Sequence, residues 1–90
     1  MDLRELVKRI KKELEDEYEG IEVTDEYAGP MRVTLNLIWD GFEGLPENER
    51  QEKVWELLHA KFKYTDLKYV PYIITWTRAE KDAYDREHVT

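Results

Sequence analysis

Cysteine is absent from the 90 residues. That excludes disulfides, thiolate metal sites and a cysteine nucleophile, and it fits a cytoplasmic setting. Cations are the minority charge, 14 Lys and Arg against 21 Asp and Glu, for a net charge of −7. Phosphate attraction supplies most non-specific nucleic-acid affinity, so this balance opposes a polyanionic partner unless a local basic patch overrides it. Long apolar runs are missing too. Nothing approaches the roughly 20 residues of a membrane span, and the start Met1-Asp2-Leu3-Arg4-Glu5 has no signal-peptide core. No nucleophile–base pair, phosphate loop or zinc spacing is visible. The reading is therefore non-enzymatic, with no cofactor expected from composition.

What is present suffices for one small domain spanning residues 1–90, with 1–2 and 87–90 expected to fray. A chain of this length buries roughly 60–65% of its unfolded surface. Three Trp, six Tyr and two Phe argue against disorder despite 39% charged residues. Leu3, Leu6, Val7, Ile10 and Leu14 recur at helical spacing and predict a helix over 2–18. Asp2 with Glu5 resembles a capping box, and Gly20 is a stop. Ile21 to Tyr27 reads as a strand, Ala28-Gly29-Pro30 as a turn and Met31 to Trp39 as a second strand. In that second strand Val33, Leu35, Leu37 and Trp39 share one face, while Arg32, Thr34, Asn36 and Ile38 share the other.

Asp40 to Gly44 reads as a loop. Pro46 opens a helix to about Lys63 that buries Val54, Leu57, Leu58 and Phe62. Tyr64 to Lys68 is a connector. Val70 to Thr77 is a third strand, placed at an edge because Pro71 lacks a ladder donor. Thr77-Arg78-Ala79-Glu80 is a second capping box, starting a helix to about Arg86. The order α-β-β-α-β-α predicts an α+β domain: a hairpin, then a right-handed crossover making strands two and three parallel, with helices on one face of a three-stranded mixed sheet. For strand three the first reading turns Val70, Tyr72, Ile74 and Trp76 toward the helices and leaves Ile73 and Thr75 open. The opposite facing would make Tyr72 and Trp76 a stacking platform.

The run Phe42-Glu43-Gly44-Leu45-Pro46-Glu47-Asn48-Glu49-Arg50 continues through Val54 to Leu58. It carries F-x-G, five residues, then R-x-x-x-V-x-x-x-L. With Val23-Thr24-Asp25-Glu26, Trp39-Asp40-Gly41-Phe42 and Thr77-Arg78-Ala79-Glu80, it resembles the BolA-like family, which is similar to class II KH domains. The resemblance covers about Leu3 to Glu80. It implies a regulatory domain that pairs with a protein partner of the glutaredoxin type around a [2Fe–2S] cluster, or takes part in transcriptional regulation. It places Tyr69 where the family carries a ligand histidine, and Arg50-Gln51-Glu52 where it carries Arg-His-Arg. The hairpin loop offers neither His nor Cys, and His59 and His88 match no ligand position. The candidate interaction surface is Arg32, Arg50, Lys53 and Tyr69. Arg50 has a second reading, as a surface ion-pair partner of Glu47 or of Glu49's neighbours.

The alternative is a KH-like nucleic-acid-binding domain. Arg4, Lys8, Arg9, Lys11 and Lys12 give the first helix a basic half suited to an anion. The competing reading of that half is a solvated face with Glu5–Arg9, Lys11–Glu15 and Lys12–Asp16 pairs. Gly41-Phe42-Glu43-Gly44 spells a KH clamp, but it follows a strand and carries Glu43, so it reads as coincidence. The acidic run Glu13, Glu15, Asp16, Glu17 and Glu19 points around its helix, not at one ion.

Overall fold

Leu6, Val7, Ile10 and Leu14 fall on one side of helix α1 (Leu3–Glu17), and all four are buried. They form one wall of the core in the computed structural model, which describes residues 2–88. Of residues 1–2 and 87–90, expected to fray, Met1, Val89 and Thr90 lie outside the described residues, while Asp2 caps α1 and Glu87 ends α4. Asp2 caps α1, its side chain accepting from the Glu5 N–H at 2.9 Å.

Strand β1 (Glu22–Tyr27) pairs antiparallel with β2 (Val33–Ile38), and β3 (Tyr72–Trp76) pairs parallel with β2 on its other side. The order β1-β2-β3 makes β2 central and β3 an edge, as Pro71 requires. Between β2 and helix α2 (Glu47–Lys61) lies a 3-10 turn, Asp40–Phe42. The connector contains one helical turn, α3 (Tyr64–Leu67). Helix α4 (Arg78–Glu87) leaves directly from β3 behind a complete capping box between Thr77 and Glu80.

Helices α1 and α2 cover one face of the sheet. Val33, Leu35, Leu37, Phe42, Val54 and Leu58 fill the layer between, all buried. Leu57 and Phe62 are only partly buried and pack on its margin. Two glycines hold the signature run in place. Gly44 has φ +81°, a conformation that side chains disfavour. Gly41 lies so close to Trp39 that a Cβ there would sit 2.3 Å from the indole. That close approach lets Trp39 pack edge-on to Phe42, with ring centroids 5.2 Å apart, and lean on Tyr18 at 4.9 Å.

The facing of β3 is the reverse of the first reading. Ile73 and Thr75 are buried toward the helices, and Tyr72 and Ile74 point out on the opposite face. The register explains it: Ile73 lies beside Leu35 and Thr75 beside Leu37, both core residues. Burying Thr75 is tolerable because its hydroxyl donates to the Glu47 carboxylate at about 3 Å. Val70 is buried as well, but it precedes the strand, so the alternation does not reach it.

The β3 edge is satisfied by a row of side chains one turn apart on α2. Gln51 donates to the Ile73 carbonyl at 2.7 Å and to Glu47 at 2.8 Å, while its own oxygen accepts from the Trp55 indole at 3.0 Å. An edge strand left bare is a template for unwanted pairing. This row closes it at Ile73.

Candidate interaction surface

Arg50 enters from the first turn of α2, three residues past the helix start. Its side chain is 8% exposed and points inward. The Nε–H donates to the Leu45 carbonyl at 2.8 Å, and the two terminal nitrogens donate to the Glu80 carboxylate at 2.7 and 3.1 Å. The Phe42 ring lies 5.7 Å from the guanidinium. Glu80 also accepts from the Thr77 N–H at 2.8 Å. These charge-assisted bonds, Arg50 first and the Thr77 amide second, hold the Glu80 carboxyl down at about 2, and they raise the guanidinium's pKa in return. The ion-pair reading of Arg50 is therefore the one observed, but with Glu80 rather than Glu47. Nothing in the first-helix-to-strand pattern points to Glu80, although its place in the second capping box does fix where it sits.

The other candidates do not converge on Arg50. Tyr69 precedes β3 and its carbonyl accepts from the Val33 N–H at 3.0 Å, so Tyr69 and the exposed Arg32 share the opposite end of the sheet. The five residues of β3 separate that end from Glu80, roughly 16 Å of strand at its usual rise. Lys53 is exposed on α2, its ammonium 5.5 Å from the Tyr18 ring. Four of the five first-helix cations, all but the exposed Lys8, have partners within the molecule. Arg4 lies over Tyr27, Arg9 faces Glu5, Lys12 bonds Asp16, and Lys11 reaches Asp25 at 2.7 Å instead of the expected Glu15. The Lys11 bond holds the Asp25 carboxyl below its ordinary range.

The side chains present do not fit the iron–sulfur cluster that the resemblance implies. Tyr69 is half-buried and lines a cavity of about 210 Å³ with Leu3, Leu6, Met31 and the carboxylates Asp2 and Asp66. That surround is apolar carbon and hard oxygen, whereas such clusters take thiolate or imidazole. His59 packs beside Trp55, and His88 stacks on Tyr84. Among the described residues no three His, Cys, Asp or Glu gather to hold a metal ion.

The structure brings together instead the outward row of β3. Tyr72 is 67% exposed and Ile74 40%. Trp76 folds across the sheet, its indole donating to the Asn36 side chain at 3.0 Å, and α4 packs Tyr84 against it at 5.0 Å. The first reading of the sequence turns Ile74 toward the helices, whereas here it faces out. The polar Thr75 beside it was a signal for either facing, since the strand is apolar on both alternations.

No protein-family model and no curated protein matches the chain. Solved structures do. BolA1 from Arabidopsis thaliana is similar with a TM-score of 0.61 at 21% identity, over 81% of this chain and 92% of that one. The BolA domain of SufE1 from Arabidopsis thaliana gives 0.56 at 24%, with the same coverage. A Bol-like protein from Babesia bovis gives 0.53 at 20%, over 88% of this chain and 92% of that one. Identities this low speak for shape and not for chemistry, and the shape is clear: the chain has the BolA-like fold.

Proposed function

We propose that this chain is a non-enzymatic, cytoplasmic interaction domain of the BolA type that acts through a protein partner; a link to iron or redox regulation is what the family resemblance implies. The observation that carries it is the pair Tyr72 and Ile74 on β3, exposed on the sheet face opposite α1 and α2. Apolar side chains grouped and exposed on one face suit a docking surface. Arg32 and Tyr69, near the Tyr72 end, remain within this reading; Arg50 does not, because its donors are engaged. That one structural relative is a BolA domain of another protein, SufE1, suits a module working beside a partner. Affinity capture with the immobilised chain, followed by identification of bound proteins, tests the proposal. Recovery of no specific protein from the source lysate counts against it. A glutaredoxin-type partner is tested separately, by mixing the chain with a cluster-loaded monothiol glutaredoxin. Because Tyr69 offers a phenol, the expected result is an unchanged visible spectrum whether or not the proteins co-elute.

The outward Tyr72 ring also supports a second reading, the KH-like nucleic-acid domain, since an exposed ring on a sheet can stack a base. Titration with single-stranded and duplex oligonucleotides at two salt concentrations decides it; absence of salt-dependent binding at micromolar protein removes it.

A further inference from the structure

The described surface shows five large hydrophobic side chains well exposed: Met31, Tyr64, Tyr72, Ile74 and Tyr84. Three of them belong to one strip. Tyr72 and Ile74 alternate along β3, Trp76 continues the row, and Tyr84 packs on Trp76. Across the sheet, Thr34 stands beside Tyr72 and Asn36 beside Ile74; beyond them on β1 stand Glu26 and Thr24. The face therefore grades from apolar at one edge to acidic at the other. Glu22, at the α4 end of β1, is tied to Arg78. Glu26 forms no ion pair among the described residues. Lys81, whose ammonium lies 5.4 Å from the Trp76 ring, is held by Asp85 at 2.7 Å.

Resting on the partner reading above, we propose that this face docks an amphipathic segment of a protein partner. Its apolar side chains would cover Tyr72 and Ile74, and its flanking Lys or Arg would meet Glu26. Charge selects this occupant. A second copy of the chain brings the same acidic row and another −7 to the contact, and like charges set face to face oppose association. A nucleic acid brings phosphates to the same carboxylates. A basic-flanked apolar segment removes the exposed side chains from water and pairs Glu26 at once.

The test uses the whole chain and a helical peptide of about 18 residues, leucines on one face and lysines elsewhere. A twin carries glutamates for lysines, and an oligothymidylate serves as the polyanion. Binding is followed by amide chemical shifts. The lysine peptide is expected to move the signals of Tyr72 to Trp76, Thr34 and Glu26. Tyr72→Ser with Ile74→Thr is expected to raise its Kd at least about tenfold, as loss of a central apolar anchor does. Glu26→Lys is expected to weaken the lysine peptide and strengthen the glutamate twin. That charge swap keeps the question answerable should the double variant fold poorly. The proposal is overturned by no binding, by equal binding of the twin, by oligothymidylate occupying the face instead, or by shifts centred on the acidic end of α1 that ignore Tyr72 and Ile74. A natural partner captured equally by wild type and the double variant sinks this face and leaves the partner reading standing. Capture of nothing by wild type, with the lysine peptide still seated on β3, sinks the partner reading instead.

Discussion

Breaking the Arg50–Glu80 pair from each side in turn should give unequal losses, and the inequality follows from burial. Arg50→Met keeps an apolar stem against Phe42 and removes the guanidinium. Glu80, whose side chain is 45% exposed, then regains water. What is lost is two charge-assisted hydrogen bonds and the donor to Leu45, a net of about 1–2.5 kcal/mol. Glu80→Ala does the reverse. It strands a guanidinium that is 8% exposed with one carbonyl for company, and it removes the cap on the Thr77 amide. An uncompensated buried charge costs about 3–5 kcal/mol; with the cap included and some relaxation allowed, about 3–4 is expected. The double variant should lose less than the sum, with a coupling of about 1–2 kcal/mol. A domain of this size holds only about 5–13 kcal/mol in all, so Glu80→Ala would approach the fold's limit. Urea titration followed by tryptophan fluorescence measures each value, provided the slope stays constant. Equal single losses, or a coupling near zero, would refute the argument and return Arg50 to the list of contact groups.

Acid should unfold the chain partly through the same carboxylate. Glu80 sits at about 2 when folded against an ordinary 4.5, so its contribution is complete above 4.5 and fades as pH falls toward 2. Half-exposure reduces that contribution to about 1–2 kcal/mol, and the Glu80→Gln variant should show a flatter stability profile across that window. Gly41→Ala would force a methyl to 2.3 Å from the Trp39 ring; a loss of about 1–3 kcal/mol and a changed near-ultraviolet tryptophan signal are expected. Gln51→Leu would leave the Ile73 carbonyl and the Trp55 indole without their partners, costing about 1–3 kcal/mol in the same urea assay. Tyr69→His would supply the imidazole the cavity lacks. This variant and not wild type should alter the spectrum of a cluster-loaded glutaredoxin.

Element order, strand pairing and both helix caps were legible because each rests on local rules: 3.6-residue spacing in α1, a proline that forbids a central β3, a capping box at Thr77. The facing of β3 was not. Val70-Pro71-Tyr72-Ile73-Ile74-Thr75-Trp76 is apolar on both alternations, so periodicity offers no choice. The choice is made by non-local partners: Glu47 bonds the Thr75 hydroxyl, and Asn36 bonds the Trp76 indole. The short helix α3 escaped for a different reason, being one turn without an apolar period of its own. Arg50 read equally well as a contact or a tie, because a sequence shows that a cation exists but not which carboxylate the fold brings to it.

That last point bears on how the resemblance should be used. Phe42, Val54 and Leu58 lie in the core, Gly44 holds a left-handed turn and Arg50 clamps α2 to the start of α4. Every residue of the motif thus serves the fold. A motif spent on packing fixes the fold without fixing the surface chemistry. Sites are grafted on folds and do not travel with them. Here the positions free to carry chemistry hold a phenol at Tyr69, an amide at Gln51 and a carboxylate at Glu52. Gln51 already has structural work, tying α2 to the β3 edge. The docking surface proposed above, the outer face of β3 with Glu26 of β1 beside it, lies outside the Phe42–Leu58 run. A change at Tyr72 or Glu26 should therefore alter binding without moving stability, and a change at Arg50 or Gln51 should do the opposite.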